Sequence, residues 1–300
     1  MTVTAITSRP KAMLDRKLNR SGSKAIPRRD IHFKLDGVDL KTWNPLGPHV
    51  SQFLNALSIV FPEGEKFFIE SARHFKDQLK SPQLLEDLQG FIGQEAMHGR
   101  EHRVYNERLA QMGYDVAGLE RDSMKLLRAA AGKNPLNKLA VTCALEHFTA
   151  VLADVLLRHP ELIPENSHPE MRAMWMWHAV EENEHKAVCY DVYQSVTQGP
   201  SAYLRRTGMM ALVTALFWAR VFQNHAHLLG RDGIASDWRG WLAFGKFAFT
   251  KPGGLRHALK PYLDYFKPGF HPWQHDNRAL LEQWKARYDQ REIEEMALAA

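Results

Sequence analysis

Two Glu-x-x-His motifs, each preceded along the chain by a single glutamate on an earlier helical segment, constrain this sequence more than any other feature. The motifs run from Glu95 to His98 and from Glu182 to His185, and the earlier glutamates are Glu65 and Glu146. Residues three apart lie on one face of an α-helix, so the carboxylate and the imidazole of each motif can point at one site. Four carboxylates would be prohibitive in a helical core without cations, and two divalent ions would neutralise them.

Helix-start signals place these residues on long helices. Pro82 and Pro135 follow the capping residues Ser81 and Asn134, as at a first helical turn. With the apolar periodicity, this predicts helices at 47–60, 62–80, 82–112, 116–131, 135–158, 169–197 and about 202–229, and then shorter ones. Strand signals are confined to residues 25–40, where polar and apolar residues alternate. We therefore expect an all-α fold, a ferritin-like four-helix bundle with additional helices and a short extended N-terminal segment.

Charge is unevenly distributed along the 300 residues. The net charge is +5, but residues 9–29 carry eight Lys/Arg against one Asp, which leaves 39 − 8 = 31 basic and 34 − 1 = 33 acidic residues elsewhere. We therefore expect no nucleic-acid partner. Residues 1–24 are predicted to be a basic, disordered arm, with an organellar targeting segment as the alternative. Residues 25–300 are predicted to form one domain, with the core bundle at about 45–200 and additional helices at about 201–298.

The two cysteines and the most apolar run bear on location. Cys143 and Cys189 lie within apolar helical patterns, which favours buried thiols in a reducing compartment. The most apolar run, residues 208–219, is too short to span a bilayer, which needs roughly 20 residues. It is typical of a buried or interfacial helix. We expect a cytoplasmic protein, with peripheral membrane contact as a further expectation.

The candidate metal ligands are the six residues of the ordered pattern and one additional histidine. These are Glu65, Glu95, His98, Glu146, Glu182, His185 and His178. His178 lies four residues before Glu182 on the same helix face. We expect it to be either a seventh ligand or a group that orients a ligating carboxylate. Three neighbours are candidates for orienting the ligands: His102, Glu101 and Glu181. Glu63, Glu70 and Glu184 remain alternatives as ligands or outer-face charges, and the non-functional interpretation is a set of solvated helix faces.

Two segments around these residues resemble a known bacterial family. Residues 61–68, FPEGEKFF, and residues 91–102, FIGQEAMHGREH, are similar to the family commonly labelled predicted metal-dependent hydrolases, over about residues 25–290. That label is itself a prediction of activity. The order of His178 and Glu182 also resembles the di-iron N-oxygenases that act on arylamines. The resemblance implies that the six residues of the ordered pattern are dimetal ligands and that His178 is the additional histidine.

Two metal ions can support two kinds of reaction: activation of dioxygen, or hydrolysis by a metal-bridged water. Oxygen and imidazole donors suit iron or manganese better than a thiolate-rich zinc site. We expect two irons that activate dioxygen, with an electron donor, to oxidise a small apolar or aromatic substrate. Manganese or zinc are alternatives for the metal, and hydrolysis is the alternative reaction. The second alternative is a non-catalytic metal-binding helical protein, and a homodimer is a further expectation.

Overall fold

A computed structural model describes residues 26–286 and residue 288 of this chain. The described part is all-α and contains no β-strand, which confirms the predicted fold class. The predicted basic arm at residues 1–24 lies outside the described residues. In chain order the helices are α1 (Pro48–Arg73), α2 (Pro82–Gln111), α3 (Val116–Ala131), α4 (Pro135–Arg158), α5 (Pro169–His185), α6 (Val188–Val196), α7 (Pro200–Arg231), α8 (Trp238–Phe249) and α9 (Gly254–Asp264), and residues 278–286 are also helical.

Side-chain caps start α2 and α4 where the sequence predicts them. The Ser81 hydroxyl accepts a hydrogen bond from the Leu84 amide at 3.3 Å, and the Asn134 side chain accepts one from the Leu136 amide at 2.9 Å. Each bond satisfies an amide that the first helical turn leaves without a partner. The starts of these two helices are therefore encoded locally.

The predicted boundary between helices at residue 61 is wrong, because α1 continues through Pro62. Proline has no N–H, so the carbonyl of Ser58 loses the hydrogen bond that an ordinary residue at position 62 would donate. The Asn106 side-chain amide of α2 donates to that carbonyl instead, at 3.2 Å. With this hydrogen bond from α2, one continuous helix places Glu65 in the core.

The predicted helix 169–197 is interrupted after His185. Lys186 and Ala187 form a turn between α5 and α6. The Lys186 ammonium, only 6% exposed as a residue, donates to the His275 carbonyl at 2.7 Å and to the Asn277 side chain at 2.8 Å. These contacts hold the Lys186 side chain against a segment more than 85 residues away in the sequence. Local periodicity carries no signal for such contacts.

Residues 26–35 are neither helical nor paired as a strand within the described residues, and a turn from Leu35 to Val38 follows them. Their alternation survives as alternating burial, with Ile31, Phe33 and Leu35 inside. Side chains of the bundle satisfy the backbone of this segment: Glu101 accepts from the Phe33 amide at 3.0 Å, and Arg100 donates to the Ile31 carbonyl at 2.7 Å. The sequence signal for extended structure is therefore confirmed, while the sheet partner is replaced by helix side chains.

Four helices place the candidate ligands in the core, namely α1, α2, α4 and α5. α1 packs mainly against α2, and α4 packs mainly against α5, while α7 lies along α1 and α4. α4 is the one helix among the described residues that is long and apolar enough to cross a membrane, but 78% of its most apolar window is buried in the protein. It also contains Glu146, so we interpret it as the central core helix.

Candidate metal centre

All six residues of the ordered Glu and Glu-x-x-His pattern converge in the core. Each is at most 2% exposed, and five of them belong to groups whose ligand atoms lie within 4.8 Å of one another. The sixth, Glu146, places Oε2 3.6 Å from Nε2 of His185. The set comprises Glu65 on α1, Glu95 and His98 on α2, Glu146 on α4, and Glu182 and His185 on α5. Such buried Glu and His groups could hold a metal ion, as the sequence pattern predicts.

Glu95 and Glu182 lie between the two histidines. His185 Nε2 is 3.2 Å from Glu95 Oε1, 3.7 Å from Glu182 Oε2 and 3.6 Å from Glu146 Oε2. His98 Nδ1 is 3.6 Å from Glu95 Oε1 and 3.6 Å from Glu182 Oε1. Each imidazole thus faces the same two carboxylates, so both histidines and both glutamates could contribute to metal binding.

The atoms that face one another have no hydrogen-bond partner among the described residues. They are both carboxylate oxygens of Glu65, Glu95 and Glu146, Oε2 of Glu182, Nδ1 of His98 and Nε2 of His185. A buried carboxylate without a partner is destabilising by several kcal/mol, on the order of magnitude for a desolvated charge. The residues therefore fit bound cations, which would neutralise the carboxylates and give the unpartnered donor atoms a partner.

Protonation of the cluster follows from burial and from its own charges. Burial, and then the neighbouring Glu95 charge, raises the pKa of Glu65 and Glu146 well above the usual range. Burial acts in the same direction on Glu182, but contacts from His178, His185 and His98 outweigh it and hold its pKa well below that range. Protons are therefore shared unevenly across the carboxylates when no cation is bound, and cation binding displaces them.

Two side chains fix the tautomers of the ligand histidines. His98 Nε2 donates to Glu181 at 3.0 Å, so Nδ1 is the nitrogen that faces Glu95 and Glu182. His185 Nδ1 donates to the side-chain oxygen of Gln94 at 2.8 Å, so Nε2 is the nitrogen that faces the carboxylates. A second hydrogen bond of this kind orients a metal-ligating imidazole and raises its basicity. The structure thus places Glu181 where the sequence predicts an orienting group.

One buried arginine connects both of these supports. Arg29 Nη1 lies 3.0 Å from Glu181 and 2.8 Å from Glu184, and Nη2 lies 2.9 Å from Glu184. Gln94 in turn donates to Glu184 at 2.6 Å. Sequence reasoning missed Arg29 and Gln94: Arg29 was counted within the basic stretch, although it belongs to the alternating pattern of residues 26–40. Glu184 is neither a ligand nor an outer-face charge, because its carboxylate joins Arg29 to Gln94.

His178 and His102 form a buried hydrogen-bonded chain that ends at the site. Asn106 uses its amide hydrogens on the Ser58 carbonyl and on Glu120, so its oxygen accepts from the Ser58 hydroxyl at 2.9 Å. The Ser58 oxygen then accepts from His102 Nδ1 at 2.9 Å, and His102 Nε2 accepts from His178 Nδ1 at 2.6 Å. Burial, and then the neighbouring histidines, lowers the pKa of His102 and of His178.

A neutral His178 therefore carries its one proton on Nδ1. Its Nε2 lies 2.9 Å from Glu182 Oε1, and a proton or a cation between these two atoms completes the contact. His98, His178 and Glu182 also form one of the groups that could hold a metal. His102 shares a further candidate metal group with Glu65 and His178, but both of its nitrogens are occupied by this chain, so we interpret it as a support for His178.

The remaining acids predicted near the site lie elsewhere. Glu101 does not approach the histidine ligands: its carboxylate binds the Phe33 amide and the Arg100 guanidinium, so it anchors the N-terminal segment. Glu63 is partly buried on the wall of an apolar cavity, and Glu70 is exposed. Among these alternatives only Glu65 shares a candidate metal group with Glu95 and His98.

An apolar cavity of about 90 Å³ adjoins the site. His178 and Glu182 contribute to its wall, and the rest is almost entirely apolar, including Phe61, Trp175 and Phe217. A second apolar cavity of about 80 Å³ shares Phe61 and Phe217 with it. Apolar space beside a few polar groups is the usual lining of a small-molecule site.

The two thiols are not ligands. Cys143 and Cys189 are free and buried, as predicted, and the Cys143 thiol donates to the Cys189 carbonyl at 3.2 Å. Burial, and then the Glu146 charge, raises the pKa of both thiols. The candidate centre therefore offers oxygen and nitrogen donors only.

Comparison with known proteins identifies one family. Residues 27–276 match the family model described as "Predicted metal-dependent hydrolase". No curated protein and no solved structure matches this chain. The resemblance to ferritin-like proteins and to di-iron arylamine N-oxygenases therefore stays a prediction from the sequence.

Proposed function

Because the chain belongs to the family of predicted metal-dependent hydrolases, we propose that it is an enzyme that hydrolyses an apolar substrate at a dinuclear metal centre. The observation that carries this proposal is the set of nine buried donor atoms, on six residues, that have no hydrogen-bond partner among the described residues and face one another. The proposed ligands are Glu65, Glu95, His98, Glu146, Glu182 and His185, with His178 as the seventh. Divalent ions held there would polarise a carbonyl and lower the pKa of a water.

The chain's own residues perform the remaining tasks. Gln94 and Glu181 hold the imidazoles of His185 and His98 with their bare nitrogens inward. The chain from Ser58 through His102 holds the proton of His178 on the side away from Glu182. The apolar cavity would receive the hydrocarbon part of the substrate and exclude water from it, so the substrate class is an apolar or aromatic ester or amide.

Oxidation of an apolar substrate is the second candidate, and the donor set favours it. Carboxylates and imidazoles from four helices, without a thiolate, are typical of di-iron and di-manganese sites. Iron is then the proposed metal, with manganese or zinc as alternatives. The family description favours hydrolysis, which is why hydrolysis comes first.

Turnover with and without oxygen separates the two reactions. The protein is loaded in turn with iron, manganese and zinc and supplied with aryl esters and anilides of increasing acyl length. Hydrolysis predicts release of acid and phenol or aniline under anaerobic conditions without a reductant. Products formed only with dioxygen and a reductant would overturn hydrolysis in favour of oxidation. Bound metal without turnover of either kind would overturn the enzymatic proposal.

A matched pair of variants tests the site itself. Glu182→Gln removes a charge that both histidines face and is expected to abolish turnover. Glu107→Gln changes an exposed glutamate of α2 and is expected to leave turnover unchanged. Equal activity of the two variants would show that the buried cluster is not the reaction centre.

A further inference from the structure

The segment from Trp238 to Leu263, comprising α8, its connection to α9 and all of α9 except the buried Asp264, presents an apolar stripe to solvent. Five large side chains are more than half exposed: Trp238 at 66%, Leu242 at 51%, Phe249 at 56%, Leu259 at 57% and Leu263 at 53%. We call this surface the α8–α9 face. Large apolar side chains that are exposed together on neighbouring elements mark an interaction surface.

Helix geometry aligns the exposed residues of α8. At about 100° per residue, Trp238, Leu242 and Phe249 lie within about 40° of one another around the axis. Arg239 and Lys246 lie roughly 80° to 100° from Trp238, along one border of this stripe. α8 therefore has an apolar outer stripe with a basic margin, the pattern of a helix that lies in a membrane interface.

The opposite side of α8 is packed rigidly. Phe244 and Phe247 are buried, with ring centroids 5.1 Å and 6.0 Å from that of Phe53 on α1. Trp241 Nε1 donates to the Ala235 carbonyl at 2.8 Å. The exposed stripe is therefore not a core face turned outward, because α8 already buries a separate apolar face.

The charge of the segment has one sign. Residues 238–263 contain five Lys/Arg and no Asp or Glu, and all five basic residues are exposed: Arg239, Lys246, Lys251, Arg256 and Lys260. Within the described residues only Lys260 of these has an acidic partner, Asp264 at 3.2 Å. Anionic headgroups complement such a face. Protein interfaces, by contrast, are depleted in lysine, which supplies three of these five residues.

We propose that the α8–α9 face docks on the surface of an anionic lipid bilayer. Trp238, Leu242, Phe249, Leu259 and Leu263 enter the headgroup boundary, and the five basic side chains pair with lipid headgroups. The inner side of the same segment reaches the candidate site, because Phe247, Gly254 and Leu255 form part of the wall of the cavity beside His178 and Glu182. The docking does not depend on the proposed reaction.

Vesicle sedimentation with the full chain tests this proposal. Wild-type protein is mixed with phosphatidylcholine vesicles with or without about a third phosphatidylglycerol. We expect partition onto the anionic vesicles that decreases with salt. Trp238→Ser/Leu242→Ser/Phe249→Ser is expected to bind at least about a hundredfold more weakly. Arg239→Gln/Lys246→Gln/Lys251→Gln is expected to lose roughly a hundredfold on anionic vesicles only.

Leu204→Ser is the matched control, since Leu204 is 66% exposed on α7, outside the α8–α9 face, and this variant should bind like the wild type. Residues 1–24 are unchanged in every variant, so binding that survives the triple serine substitution comes from the basic arm and overturns the proposal. Absence of wild-type binding overturns it too. Self-association abolished by the triple serine substitution, without vesicle binding, assigns the face to a second copy of this chain instead.

Discussion

Replacing Arg29 by methionine tests the network that supports both ligand histidines. Arg29 is 1% exposed and lies within 3.0 Å of two buried carboxylates, those of Glu181 and Glu184. Removing one partner from a buried ion pair costs about 3 to 5 kcal/mol, because the other charge remains desolvated. Lys285 still lies 3.2 Å from Glu184, so we expect the lower end, about 3 kcal/mol of unfolding free energy.

Urea unfolding measures this loss, and metal titration measures its effect on the site. Arg28→Met is the control: Arg28 is exposed and adjacent in sequence, and its guanidinium lies 3.8 Å from the Met97 sulfur. It should cost less than about 1 kcal/mol. Adding Glu184→Gln to Arg29→Met should recover part of the loss, because it removes one stranded charge. An Arg29→Met variant as stable as Arg28→Met would refute the reasoning.

Three further predictions concern the support of the site, backbone packing and pH. Gln94→Leu removes the acceptor of the ligand imidazole and should weaken metal binding by about 10- to 100-fold in competition with a chelator; unchanged affinity would contradict this. Gly90→Ala places a Cβ 2.6 Å from the N-terminal segment and should cost about 1 to 3 kcal/mol. Gly208→Ala, with nothing within 4 Å, should gain roughly 0.5 to 1 kcal/mol, so equal melting shifts for the two would be inconsistent with the packing. Burial lowers the pKa of His225 from 6.5 to about 4, against the opposing effect of its hydrogen bond to the His49 carbonyl. The contribution of neutral His225 to the free energy of unfolding is therefore fully present above pH 6.5. It decreases by up to about 3 kcal/mol as the pH falls to 4. The variant His225→Gln should remove this pH dependence in melting experiments.

The sequence predicts those parts of the site that depend on helix periodicity. Glu95 and His98 share a face because they are three positions apart in an α-helix, and the same holds for Glu182 and His185. The chain order of four acid-bearing helices then indicates where they meet. Ser81 and Asn134 likewise encode helix starts through local hydrogen bonds.

The contacts that complete the site act over long sequence separations and have no local signature. Arg29 reaches Glu184 across 155 positions, and Pro62 remains within α1 because Asn106, 48 positions from Ser58, supplies the missing hydrogen bond. A proline at that position predicts a helix start from local chemistry alone. Tertiary packing overrides that preference here, and the periodicity of the sequence does not predict such packing.

The metal content of the purified chain tests the central claim most directly. The protein is purified from metal-supplemented cells and assayed by elemental analysis beside Glu95→Gln and the α2 surface control Glu107→Gln. The arrangement of ligands predicts about two transition-metal ions per chain in the wild type and in the control, and fewer than one in Glu95→Gln. Fewer than one ion per wild-type chain, or equal content in Glu95→Gln and wild type, would contradict the account.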